Sequence, residues 1–393
     1  MKYERKDVEK IVAETQRFWG TNPLERPYWF LNFIIDGKGG LEHDHSTVMM
    51  TGRRQMRNRK DYVNWLGLVA HEFFHVWNVR NMRPAALTDY DYQNEQYTSQ
   101  LWLAEGLTSY YDNLIMSRAG LITPKEYMEF LAKSIHRLET TPGRLLRPVE
   151  EASLDAWIRH YQPNANSVNS TISYYTKGAV IGFVLDTHIR KASKGRRSLD
   201  DVMRKMYELY SNEPYGKDAL RKVVVDIGGE EAGQLLQSLL TTTAEPDVDS
   251  ALDYYGLQLD RGATLVTAEP DEDPDEDPPI SDLGVLWEEG HPELVVKAVR
   301  NGTGGSSAGL ISGDEILAIG NERLTRDNLE SLMTSFSPGE QTTLLVSRRG
   351  RVMELTIKLD VAIPDKFLVL LKSGFDKRDL ARLERLLGQD PRE

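Results

Sequence analysis

The chain of 393 residues contains no cysteine, so it can form neither a disulfide nor a thiolate metal site. Long apolar runs are missing as well. A membrane-crossing helix needs about 20 consecutive apolar residues, and a stretch such as Phe367-Leu368-Val369-Leu370-Leu371 falls far short of that. The first ten residues, MKYERKDVEK, are charged and lack the apolar centre of a signal peptide, which makes a soluble, cytoplasmic chain the expectation. Positive charge is also scarce: 48 Lys and Arg stand against 60 Asp and Glu, a net charge of −12. Much of that excess is local. Glu269 to Pro279 holds seven acids and no base, which leaves −5 for the rest of the chain. This run repels itself, is stiffened by proline and cannot bury a core, so it reads as an extended linker. It lacks the glycine and closing glutamate of an EF-hand loop. The acidic balance argues against a nucleic-acid partner.

Histidine is rare too, with 8 in the chain, yet two of them stand four apart in His71-Glu72-Phe73-Phe74-His75. Residues four apart share one face of a helix, so both imidazoles can reach one metal ion while the adjacent Glu faces its water. Context supports a helix. Val63, Leu66, Val69 and Ala70 precede the motif at helical spacing and Phe73, Phe74 and Trp77 continue it, predicting a mostly buried element that starts near Asp61. Burying two His and a Glu there is costly unless something binds them. A catalytic zinc takes three protein ligands and leaves one position open. Some thirty residues on, SQLWLAEGLTSYY (99–111) reads as a second helix with one carboxylate on an otherwise apolar stretch, making Glu105 the candidate third ligand.

HEFFHVWN (71–78), Arg83-Pro84 and LWLAEGLTSYY (101–111) together resemble the PDZ-containing glycyl aminopeptidase family, gluzincin zinc metallopeptidases whose third ligand is a Glu on a following helix. The resemblance implies one zinc per chain held by His71, His75 and Glu105, with Glu72 as general base. Tyr174-Tyr175-Thr176-Lys177-Gly178 resembles the family's Tyr-x-Lys-Gly segment and implies that Tyr175 stabilises the oxyanion; a phenol can do this without carrying charge. Gly39-Gly40-Leu41-Glu42 resembles the Gly-x-x-Glu strand that lies along the substrate. It makes Gly40 and Leu41 substrate-binding residues and pairs Glu42 with a free amino terminus. This segment follows a predicted strand, Tyr28 to Ile35, and Asp36-Gly37-Lys38-Gly39-Gly40 is expected to turn that strand into its partner. His43 and His45 alternate as strand neighbours do and offer a rival metal pair.

The expected fold class is α+β: a thermolysin-like gluzincin catalytic domain, with a small β region and a helical body, over 1–262. The acidic linker covers 263–280, a β-rich PDZ domain 281–361, and a short helical tail 362–393. Helical spacing recurs over 127–138, 179–191, 199–210 and 218–226. After the linker come short strands at 284–287, 294–299, 315–319 and 342–347, with a helix near 326–335. Asp282-Leu283-Gly284-Val285, Ser307-Ala308-Gly309-Leu310, Gly313-Asp314-Glu315-Ile316-Leu317 and Ser337-Pro338-Gly339 resemble bacterial protease PDZ domains. That resemblance makes Leu283, Gly284 and Val285 a carboxylate-binding loop with free backbone amides for a C-terminal peptide ligand. The tail presents Leu380, Leu383, Leu386 and Leu387 on one side, for local packing or association.

The implied activity is zinc-dependent removal of a small amino-terminal residue, Gly or Ala, from peptide or protein substrates. Two rivals are a PDZ adaptor with a weakly active peptidase half, and a zinc endopeptidase in which Glu42 is structural. Family members usually carry a larger β domain ahead of the Gly-x-x-Glu strand, whereas about 25 residues precede the first strand here.

Overall fold

The computed structural model describes residues 2–54, 56–89, 91, 93–262 and 280–388, so the whole acidic run lies outside the described residues. The described residues build two hydrophobic cores. The first is helical. Helix α1 (Lys2–Trp19) buries Ile11, Phe18 and Trp19. Helix α2 (Arg59–Phe74) starts at Asn58, whose side chain accepts from the Asp61 amide, and buries Val63, Leu66, Val69, Ala70, Phe73 and Phe74. Helices α3 (Leu107–Arg118), α4 (Pro124–Glu139) and α5 (Tyr174–Ala192) pack with it, and Leu199–Tyr210, Ala219–Gly228 and Glu230–Thr241 complete the body. The helices expected near 127–138, 179–191, 199–210 and 218–226 are all present, extended by a few residues where caps allow. Thr123 and Glu126 form a reciprocal capping box at the start of α4, and Ser173 caps α5.

A small sheet lies over α2. It contains β1 (Trp29–Ile34), β2 (Gly39–Glu42) and β3 (Ser46–Thr51), in the order β1-β3-β2. This corrects the expected pairing of the first two strands. β3 inserts between them, running parallel to β1 and antiparallel to β2. Its alternating burial puts Thr47, Met49 and Thr51 inward, which gives β3 the apolar and hydroxyl face that a central strand needs. β2 is therefore an edge strand.

The second core is β-rich and lies within the expected PDZ segment. Strands β5 (Val285–Trp287) and β6 (Val296–Val299) pair with each other. A further sheet contains β7 (Glu315–Ile319), β8 (Gln341–Arg348) and β9 (Arg351–Lys358), with helix α6 (Leu329–Ser335) beside them in sequence. The two cores meet at Asn169. Its side-chain amide donates to Val299 O at 2.8 Å, and its Oδ1 accepts from the Asn301 amide at 2.8 Å.

After the second core the chain returns to the first. Strand β4 (Leu257–Asp260) pairs with β10 (Leu368–Leu371), a strand the sequence did not announce. Helix α7 (Lys377–Leu387) then buries Leu383, Leu386 and Leu387 in the first core and leaves Leu380 exposed. Carbonyls of Leu386 and Leu387 accept from Arg118 and Ser117 of α3. The tail thus packs locally.

Candidate active site

The motif histidines come from the last turn of α2, one turn apart, with ring centroids 4.7 Å apart. Glu105 arrives from a π-turn, Trp102–Gly106, that opens directly into α3. The sequence pattern predicts a plain helix here; a π-turn holds one extra residue and rotates the following side chains. Glu105 Oε2 lies 3.1 Å from His71 Nε2 and 3.4 Å from His75 Nε2, and all three donor atoms fall within 4.8 Å of one another.

The other ring nitrogens are held in place. His71 Nδ1 faces Asp112 Oδ2 at 3.3 Å, and His75 Nδ1 faces Asn78 O at 2.8 Å. With Nδ1 occupied in each ring, Nε2 is the atom turned toward the shared centre, the arrangement that metal-ligating imidazoles adopt. Asn78 also donates from Nδ2 to Leu103 O, Ala104 O and Thr108 Oγ1, tying the loop after α2 to the turn that carries Glu105. Sequence reasoning missed Asp112 and missed the part played by Asn78. An acid six residues before the end of α3 has no signal of its own without the three-dimensional register.

The cluster fits a divalent cation. Burial works against charge on His71, yet the Asp112 and Glu105 hydrogen bonds and charges outweigh it and raise its pKa well above the ordinary imidazole range. Burial likewise opposes charge on His75, but Glu105 and Glu42 push it up to about 9. Glu105 is itself buried, and the two imidazoles hold its carboxyl well below the usual range. A buried donor set that retains protons this strongly has a place for positive charge.

Glu72 points into the same cavity. It is 4% exposed, and its Oε2 accepts from Thr47 Oγ1 at 3.1 Å. Burial raises its pKa, the two histidines oppose that, and Glu42 adds to it. β2 crosses directly above: a Cβ on Gly40 would lie 2.2 Å from Glu72 Oε1, so only glycine lets the strand approach so closely. Arg80 grips Asp44 in the turn beyond β2 with Nε at 2.8 Å, which fixes the end of the strand that carries Glu42.

Tyr175 lies in the first turn of α5 and stacks at 6.3 Å from His71. The close approach of α5 to the π-turn depends on two glycines: a Cβ on Gly106 would sit 2.6 Å from Tyr174 O and 2.7 Å from Gly178 Cα. That contact gives the glycine of the Tyr-x-Lys-Gly segment a physical role. Burial first, and Glu105 next, raise the Tyr175 phenol far above its ordinary value, so it stays protonated as a donor. Its hydroxyl lies 3.5 Å from that of Tyr161, which in turn accepts from Tyr174 at 3.1 Å. Tyr161 was not anticipated.

One cavity of about 590 Å³ brings together Gly40, Glu42, His71, Glu72, His75, Glu105, Tyr161 and Tyr175. Exposed Leu41 lies on the same strand. His43 and His45 do not join. His43 Nδ1 contacts Leu41 O, and among the described residues the one group able to hold a metal is His71, His75 and Glu105.

The second expected site differs from its prediction. Leu283, Gly284 and Val285 form a loop with Gly284 at φ 72°, but two of the three amides are already engaged: the Leu283 N–H donates to Asp282 Oδ1 at 2.7 Å, and the Gly284 N–H also faces that carboxylate. The acid that opens the motif turns back on its own loop and takes two of the donors a peptide carboxylate would use.

Comparison with known proteins agrees with this geometry. Residues 64–181 match the family described as M61 glycyl aminopeptidase, and residues 281–359 match the PDZ domain family. A crystal structure of an aminopeptidase N family protein from Idiomarina loihiensis superposes with a TM-score of 0.88 at 26% identity, covering 99% of this chain and 66% of that one. An M1 zinc metallopeptidase from Deinococcus radiodurans is 19% identical with a TM-score of 0.43, over 61% of this chain and 45% of that one. Regulator of sigma-E protease RseP of Escherichia coli is 25% identical over 140 residues, 36% of this chain and 28% of its own length. The chain spans only part of each of these proteins. Within it, a segment matching the M61 glycyl aminopeptidase family precedes one matching the PDZ domain family.

Proposed function

We propose that the chain is a zinc-dependent aminopeptidase that removes a small amino-terminal residue, Gly or Ala, from peptides. The observation that carries this reading is the open edge of β2. Its Gly40 lies against Glu72, and its Glu42 lines the same cavity as the His71, His75 and Glu105 donor set. A substrate added along that edge is held by main-chain hydrogen bonds, with its amino terminus at Glu42. The negative charge at Glu42 favours an ammonium there over the neutral amide of an internal peptide.

His71, His75 and Glu105 would hold the zinc. When bound, it supplies a Lewis acid that polarises a carbonyl and brings the pKa of water to about 7. Glu72, raised by burial and steadied by Thr47, takes a proton from the attacking water and returns it to the leaving amine. Tyr175 donates its O–H to the developing oxyanion. Tyr161 and Tyr175 stand together in this cavity with Glu42, which favours a small first residue. The match to the PDZ domain family supports a peptide-binding role for that segment, although the Leu283 and Gly284 amides of its loop are held by Asp282.

The test compares Gly- and Ala-initiated peptides with their N-acetylated forms on zinc-loaded protein, before and after chelation. Release of the first residue from free-amine peptides alone is expected. Equal cleavage of the blocked forms would make the protein an endopeptidase, and binding without turnover would make it an adaptor.

A further inference from the structure

The cleft does not end at the reactive centre. The face of α2 that carries His71 continues backward through Leu68 and Asn64, both lining the main cavity and an adjoining one of about 320 Å³. Lys38, just before β2, also lines both; Lys133 of α4 lines the outer one, one turn beyond Phe130 of the inner wall. Lys60 lies one turn before Asn64 on α2. Among the described residues, none of Lys38, Lys60 and Lys133 forms an ion pair. The acid lining the outer cavity is Asp61, whose carboxylate accepts from Asn58 Nδ2 at 2.7 Å. Burial, and then repulsion from Arg137, Lys60 and Lys38, lower the pKa of Lys133, which places these cations within one another's fields. In a chain of net charge −12, an unpaired cationic end to a cleft calls for an anion.

Direction and length identify the anion. β2 runs from Gly39 to Glu42, so a peptide laid antiparallel along it with its amine at Glu42 proceeds toward Gly39 and Lys38. Asn64 is seven residues before His71 on the helix, about 10 Å at 1.5 Å per residue, or three residues of extended peptide at about 3.4 Å each. We propose that Lys38 and Lys133 receive the α-carboxylate of a short peptide, making tri- and tetrapeptides with both termini free the preferred substrates. This rests on the aminopeptidase reading above.

The test uses the zinc-loaded full chain and three peptides: Gly-Leu-Gly, its C-terminal amide, and Gly-Leu-Asp amide. The free acid is expected to show a kcat/KM about tenfold above the Gly-Leu-Gly amide, mainly through KM, with the gap shrinking as salt rises. Lys38→Met with Lys133→Met is expected to lower the acid to the level of the amide and abolish the preference between them. Equal kcat/KM for acid and amide in the unaltered protein overturns the proposal, as does a Gly-Leu-Asp amide cleaved better than the free acid, which would assign the lysines to an acidic side chain. Calorimetric binding of the same peptides to the zinc-loaded Glu72→Gln variant separates the two readings. Tighter binding of the acid without turnover by the unaltered protein sustains the carboxylate site while the peptidase reading fails. Equal binding of acid and amide removes the site whatever the turnover.

Discussion

Two edge strands of this chain are shaped for an extended peptide, and they are prepared in opposite ways. β2 keeps one edge unpaired, runs over a buried base and leads to lysines without ion-pair partners. β5 also has a partner on one side only, but the loop that feeds it has already turned the Leu283 and Gly284 amides onto Asp282. The same fragment of geometry, a glycine beside a strand, serves two ends. At Gly40 the missing side chain makes room for a functional group. At Gly284 it lets the backbone adopt a positive φ against Thr303, and the loop closes on itself. A strand edge becomes a binding site when the donors around it are left for the ligand, and a structural turn when the chain satisfies them.

The sharpest way to break this contrast is at Glu72. Glu72→Gln should keep its metal, measured by metal analysis, while kcat falls by at least about a thousandfold, within the range for loss of a general base. Normal turnover would remove the mechanism. Gly40→Ala should lower kcat/KM by up to about a hundredfold, because Glu72 must shift to clear the new methyl, with little change in Tm. Asp112→Asn should weaken metal affinity about 10- to 100-fold in a chelator competition, since His71 loses its charged partner. Gly284→Ala is the mirror of Gly40→Ala: it should destabilise the PDZ core by about 1–3 kcal/mol in denaturant unfolding and leave peptide hydrolysis near normal.

The smallest expected effect lies far from both edges. The hydrogen bond from Arg59, and then backbone donation from Thr123 against the opposing effect of burial, hold Glu126 at about 2, below the ordinary carboxylate range near 4.5. Its folded pKa is depressed, so its contribution is fully present above 4.5 and is lost as pH falls toward 2. Arg59 is half exposed, so the pair is worth less than about 1 kcal/mol. Arg59→Ala should flatten the acid limb of the Tm–pH profile by that small amount; an unchanged limb would assign the acid sensitivity elsewhere.

Periodicity and spacing by themselves determined a great deal: the helix under HEFFH, the candidacy of Glu105, the helical body before the acidic run and the β-rich region after it. The resemblance added Tyr175 and Glu42. These were legible because helix faces and motif spacings are local, and a buried polar triplet on an apolar helix has few other uses. Only the tertiary structure decided the rest. It inserted β3 between two strands expected to pair, drew Glu105 into a π-turn and set Asp112 and Asn78 behind the imidazoles. It also returned the tail to the catalytic core and turned Asp282 onto its own loop. Each of these depends on which distant segment fills a space or satisfies a donor, and contacts between residues far apart in the chain leave no period in the sequence for a reader to find.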